Sequence, residues 1–287
     1  MTFTKRRIDV TFSLGKGRYG DQQGPDVTLR GHRVSAEIPM HASGDRPQLL
    51  LTVYGLDQET MNRLTTIGPV MEERRGLNLV RVHAGSDVEA PCVAYEGEIV
   101  NAWADYGMAP DSVLTVMAQV AGAKEVKPAH PRSYPGATPA QEVMREIATA
   151  MGYTFEGRGV NTVLANPYFS GTDMDQLRSC AQAARISHTI DRGVLAIWPA
   201  DGFRQGDPIA VSPETGLIGY PAFTGSGLAL KTLYNPDLAL GKRVRVSSAI
   251  HAAQGEWTIV SLAHQLEADV PRGVWQSVAV CKRNLDG

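Results

Sequence analysis

The chain has 287 residues, enough for two or three domains that each bury a core of their own. Hydrophobic residues make up 43% and charged residues 20%, the make-up of an ordinary globular protein rather than a disordered or fibrous one. A formal net charge of −2 and an aromatic content of 7% argue against a basic face that reads nucleic acid and against base-stacking platforms.

Met1 to Val10 is basic but runs straight into an alternating segment, without the apolar run of a secretory signal. No stretch approaches the roughly 20 apolar residues that span a bilayer. The expectation is a protein made in the cytosol that stays soluble until it assembles. Cys92, Cys180 and Cys281 lie far apart and are expected as isolated buried residues, in preference to a disulfide.

In chain order, Ile8, Val10, Phe12 and Leu14 alternate with polar residues, which predicts a half-buried strand. Val27 to Ile38 alternates again, with Pro39 expected to end it. Gln48 to Tyr54 is apolar enough for the middle of a sheet. The period then changes: Leu56, Met61, Leu64 and Ile67 fit one helical face, with Asp57 as cap and Gly68-Pro69 as stop. Strand-like runs resume at 77–82, 93–102 and 112–120.

Gly122 to Gly136, with three prolines, is expected to be a linker. Thr138 and Gln141 are spaced as a capping box for a helix that carries Pro139 in its first turn and stops at Gly152. Val143, Ile147 and Met151 form its buried stripe. A second helix starts near Thr172 or Asp173 and buries Met174, Leu177, Ala181 and Ala184. Short strands are expected at 153–155 and 194–198. From Asp207 the pattern is period-2 again, at 242–247, 257–264 and 274–281. The organisation is β, then α+β, then β.

Few patterns carry chemistry. Gly15 to Gly20 spells Gly-x-Gly-x-x-Gly, but Gly24-Pro25 and a strand follow where a dinucleotide site needs a helix, so a hairpin loop is expected. The seven histidines show no metal-ligand spacing. Asp173 and Asp175 sit in the first turn of a helix, where carboxylates are favoured without any metal. Gly225-Ser226-Gly227 reads as a turn, and Glu72-Glu73-Arg74-Arg75 as a solvated face. No catalytic, cofactor-binding or metal residue is assigned, and an assembly protein is favoured over an enzyme.

The C-terminal stretch is the most identifiable. Ser212-Pro213-Glu214-Thr215-Gly216-Leu217-Ile218-Gly219 is followed by Leu233-Tyr234-Asn235-Pro236, then by Gly241-Lys242-Arg243-Val244-Arg245-Val246. In this order the segments resemble the C-terminal part of baseplate hub proteins of contractile-tailed bacteriophages. Tyr54-Gly55-Leu56 and the short helix after it resemble their tube-like first domain.

The resemblance implies a mainly β fold in which two tail-tube-like antiparallel β-barrels, residues 1–122 and 207–287, flank an α+β module at 137–200. It implies a homotrimeric ring with pseudo-six-fold symmetry in the phage tail, between tube or tube-initiator proteins above and a spike below, beside other baseplate subunits. DNA passes through its channel without specific binding, so a neutral to acidic wall is expected. Some relatives carry a fused lysozyme or peptidase, for which no room is expected after Gly287. Leu56, Met61, Leu64 and Ile67 are the interface candidates, beside the plainer reading that they plug their own barrel. The rival functions are a tail-associated peptidoglycan-degrading enzyme and the hub of a related tail or secretion machine.

Overall fold

The computed structural model describes residues 4–13, 15–16, 22–23, 26–41, 46–65, 78–88, 90–107 and 112–283. The fold is mainly β with a small α+β part, and the chain forms two compact units. The first comprises 1–39, 47–123 and 264–276; the second comprises 40–46, 124–263 and 277–287.

In the first unit the strands run in the order Val27–Leu29, Arg6–Ser13, Leu79–Ser86, Cys92–Asp105, Val113–Gln119, Gln48–Tyr54 and Val34–His41. Alternation dictates what each buries: Val34, Ala36, Ile38 and Met40 in one strand, Leu49, Leu51 and Val53 in the next, Leu114, Val116 and Ala118 in a third. Each large aliphatic buried this way contributes about 1.5–3 kcal/mol. Asp9 departs from its expected solvent face and is buried, because Arg7 holds its carboxylate through Nε at 2.8 Å and Nη2 at 2.7 Å.

Three expectations here are corrected. Gly31, at φ +70°, divides the predicted 27–38 strand in two, and Pro39 lies inside Val34–His41 rather than ending it. Cys92 is exposed, although Cys180 and Cys281 are buried as expected. As expected for a hairpin, Gly15–Lys16 pairs antiparallel with Gln22–Gln23. Gly17 to Gly20, Leu77 and the 72–75 charge cluster lie outside the described residues.

The second unit holds the helices Ala140–Met151 and Asp173–Ala184, beside a three-stranded sheet ordered Thr154–Glu156, Val194–Pro199, Ile186–Asp191. The second helix has a full capping box between Thr172 and Asp175, and Arg132 ties Asp173 at 3.0 Å, which gives both aspartates structural partners. The capping box expected at Thr138 does not form. Thr138 is taken into a strand, Ala137–Pro139, paired with Val163–Ala165, and Gln141 donates to the Val160 carbonyl instead. The expected linker also has structure: Gly122–Val126 is a short helix and Arg132–Ser133 pairs with Tyr168–Phe169.

The C-terminal strands follow the order Ala222–Thr224, Gly227–Leu233, Trp275–Arg283, Gly255–Ala268, Arg243–Val246, Ile209–Val211. In Gly255–Ala268 the inward face is odd-numbered at Trp257 and Ile259 but even-numbered from Leu262 to Ala268, and residues from His264 onward belong to the first unit. The turn motifs have local causes. Ser212 and Thr215 cap each other around a 3-10 turn, and Asn235 Oδ1 accepts from the Asp237 N–H at 2.9 Å. Gly241 has φ +77°, and a Cβ there would stand 2.7 Å from the Trp198 indole.

The two ends of the chain share a strand order. Number the six main strands of 6–119 in sequence, leaving out Val27–Leu29, and do the same for 209–283. Both then lie across the sheet as 1-4-5-6-3-2. The departure is the first strand: Arg6–Ser13 is antiparallel to its neighbour, whereas the three-residue Ile209–Val211 is parallel to Arg243–Val246.

Candidate assembly surfaces

The helix singled out from the sequence spans Gln58–Leu64. Asp57 caps it, accepting the Thr60 N–H at 2.8 Å, and this pulls the Asp57 carboxyl below its ordinary pKa. Seven residues are too few for a helix to persist in water, so its stability comes from what it buries. That is Leu56, Met61 and Leu64, at 6%, 1% and 1% exposure. These three candidates are therefore covered by the chain itself, and Ile67 lies outside the described residues. The face left to solvent is Gln58, Glu59, Asn62 and Arg63.

That face continues onto the sheet. Tyr106 Oη lies 3.5 Å from Asn62 Oδ1, and Tyr106 and Trp103 are both exposed. On the outward face of the same sheet, Leu50 stands directly opposite Met117, at 42% and 43% exposure. Trp103 opposes Thr115, two residues from Met117 and so on its face. An apolar row of this kind on a solvated sheet is a candidate contact surface. Its signal was present in the sequence: Leu50 and Met117 are apolar at positions whose strand neighbours of the same parity include Gln48, Thr52, Thr115 and Gln119.

In the C-terminal strands the second candidate surface is an edge. Ala222, Phe223 and Thr224 are all exposed and pair on one side with Gly227–Leu233. Phe223 stands edge-on to Trp257 at 6.3 Å, and Tyr220, Ile218 and Leu233 add exposed apolar area nearby in sequence and register. An uncovered strand edge is a template for another chain.

Neither surface gathers reactive groups. Among the described residues no three His, Cys, Asp or Glu side chains come together as a metal cluster, and none of the helices is long and apolar enough to cross a membrane.

The family model of baseplate hub gp41 matches residues 7–271, nearly the whole chain. The chain belongs to that family. No curated protein sequence matches it. Among solved structures, the hub resembles a tail protein from Neisseria meningitidis MC58 at 10% identity and TM-score 0.60, over 98% of this chain and 97% of that one. A 43 kDa tail protein of prophage MuSo2 from Shewanella oneidensis matches at 11% identity and TM-score 0.58, over 96% and 97%. An E. coli component of the type VI secretion system, described as similar to bacteriophage T4 tail proteins gp27 and gp5, matches at 11% and 0.58, over 88% and 74%. At such identities the likeness is one of fold. Family and fold together make this a structural protein of the phage tail baseplate or of a related secretion machine.

Proposed function

We propose that three copies of the hub close into a ring joining a hexameric tail tube to a trimeric spike. Each chain contributes two tube-like barrels, built on 1–122 and 207–287 with the 137–200 module between them, so that six surround a channel through which DNA passes. The observation that carries this reading is the shared 1-4-5-6-3-2 strand order of the two ends. A chain with the same sheet twice can offer six similar elements as a trimer, matching six-fold symmetry on one side and three-fold on the other.

The work of such a subunit lies in its contacts. The Leu50–Met117–Trp103 row, with the exposed face of the Gln58–Leu64 helix, is the surface we assign to neighbouring copies or tube proteins. The Ala222–Thr224 edge is assigned to strand pairing with a neighbour. The remaining partners are the spike and other baseplate subunits, and the channel wall is neutral to acidic.

Electron microscopy of the hub mixed with its tube and spike proteins tests this. The expected image is a three-fold ring with six lobes around a channel. A ring of another symmetry, or six chains per ring, contradicts it. The fold likeness to the type VI component favours a secretion-machine hub as the second reading; the same images decide, because the ring would then form on that machine's spike and tube but not on phage ones.

A further inference from the structure

Helix Ala140–Met151, strand Thr154–Glu156 and the segments around Arg204 and Lys242 enclose a cleft of about 640 Å³, wholly within the second unit. Five cations line it, Arg145, Arg158, Arg204, Lys242 and Arg243, against two carboxylates, Glu156 and Asp207. The chain as a whole carries −2, so positive charge is concentrated here.

Pairing within the fold leaves that excess in place. Arg204 is matched by Glu156, while Arg243 shares Glu256 with Arg245. Among the described residues, Arg145, Arg158 and Lys242 make no ion pair. The Arg145 guanidinium lies 5.4 Å from the centre of the Phe155 ring, which holds it in place without neutralising it. Lys242 Nζ donates to the Asp237 carbonyl at 3.1 Å. Burial, and then the charge of Arg204, lower the Lys242 pKa. A site that disfavours its own ammonium favours an incoming anion.

The class of anion follows from the rest of the lining. Asp207 also lacks an ion pair among the described residues, and beside it Gln205 is exposed, while the Gly206 carbonyl accepts from Arg243 Nη2 at 2.9 Å. A phosphate presents mostly charged acceptor oxygens and is repelled by Asp207. A peptide offers carboxylates to the guanidinium groups and N–H donors to Asp207 and Gln205. The volume accommodates a short segment rather than a single ion.

We propose that this cleft binds an acidic peptide segment, with its carboxylates on Arg145, Arg158 and Lys242 and its backbone against Asp207 and Gln205. That the segment comes from a neighbouring tail protein rests on the function proposed above; the charge preference does not.

The test is fluorescence anisotropy of the full chain with labelled hexaglutamate, against hexaglutamine and with pyrophosphate as competitor. Hexaglutamate is expected to bind at least about ten-fold tighter than hexaglutamine, and to weaken as salt rises from about 50 to about 300 mM. The double variant Arg145→Glu/Arg158→Glu, both exposed positions, should lose about ten-fold or more while its circular dichroism and melting stay near wild type. Absence of hexaglutamate binding, equal binding of the two peptides, or a double variant that binds as well as wild type overturns the proposal. So does pyrophosphate that binds more tightly than hexaglutamate. Intact hexaglutamate binding by a chain that never forms a ring would contradict the hub ring and leave this inference standing.

Discussion

Arg204 clamps Glu156 across 48 positions of sequence, Nε at 2.9 Å from one carboxylate oxygen and Nη2 at 2.5 Å from the other. The guanidinium is 7% exposed and the carboxylate 38%. The same arginine reaches the Leu240 carbonyl at 3.3 Å through Nη1, and its backbone N–H donates to Gly241. One side chain thus fixes the loop that carries the Gly241-Lys242-Arg243-Val244 motif.

Glu156→Gln leaves that buried guanidinium without its anion. Because the carboxylate side is open to solvent, the expected cost is about 2 kcal/mol rather than the larger figure for a fully buried pair. The Arg204 hydrogen bonds pull the Glu156 pKa below its ordinary value. The stabilisation is therefore fully present above the unfolded pKa and disappears as pH falls through the lowered one. Melting curves of wild type and Glu156→Gln should differ at neutral pH and converge in acid; a gap that persists to low pH contradicts the assignment.

His188 gives a second pH dependence, at higher pH. Burial, and then the charge of Arg178, push it down to about 4, and among the described residues its Nε2 has no hydrogen-bond partner. The unfolded chain takes up the proton first, so its contribution is whole above about 6.5 and is lost progressively down to about 4, on the order of 3 kcal/mol. His188→Leu should flatten the stability profile over that window, measured by denaturant midpoint at a series of pH values. An unchanged slope contradicts a neutral buried imidazole.

Gly227 has φ +135°, and a Cβ there would meet the Cys281 carbonyl oxygen at 2.3 Å. Gly227→Ala should separate Gly227–Leu233 from Trp275–Arg283 and cost several kcal/mol, of order 3. Gly241→Ala meets the Trp198 ring instead, which a tryptophan fluorescence shift would report. Wild-type melting in both variants would refute these close approaches.

The interface candidates separate by burial. Met61→Ala should lower stability by about 2–5 kcal/mol at any protein concentration, as a cavity does. Met117→Asp, on the outward face, should leave melting nearly unchanged and weaken assembly. The reverse pattern would move the contact surface back to the buried stripe.

Much of this fold was legible because alternation and capping are local. The strands at 6–13, 48–54 and 113–119, the Asp57 cap and the helix starting near Thr172 or Asp173 all follow from neighbours within a few residues. Long-range partners were not legible. Thr138 looked like a cap until Leu164 took its backbone into a strand. Asp9 looked like a surface residue until the fold enclosed it. The stripe at Leu56, Met61 and Leu64 signalled burial, and sequence could not say whether its own unit or a neighbour supplied the cover. The cationic cleft escaped altogether, since Arg145, Arg204 and Lys242 come from three distant segments.

The most direct test of the central claim is the mass of the assembled hub, measured by light scattering after size exclusion in the presence of its spike protein. The account predicts three chains of 31.0 kDa per spike trimer. A single chain per particle at every concentration, with the spike present, would contradict it.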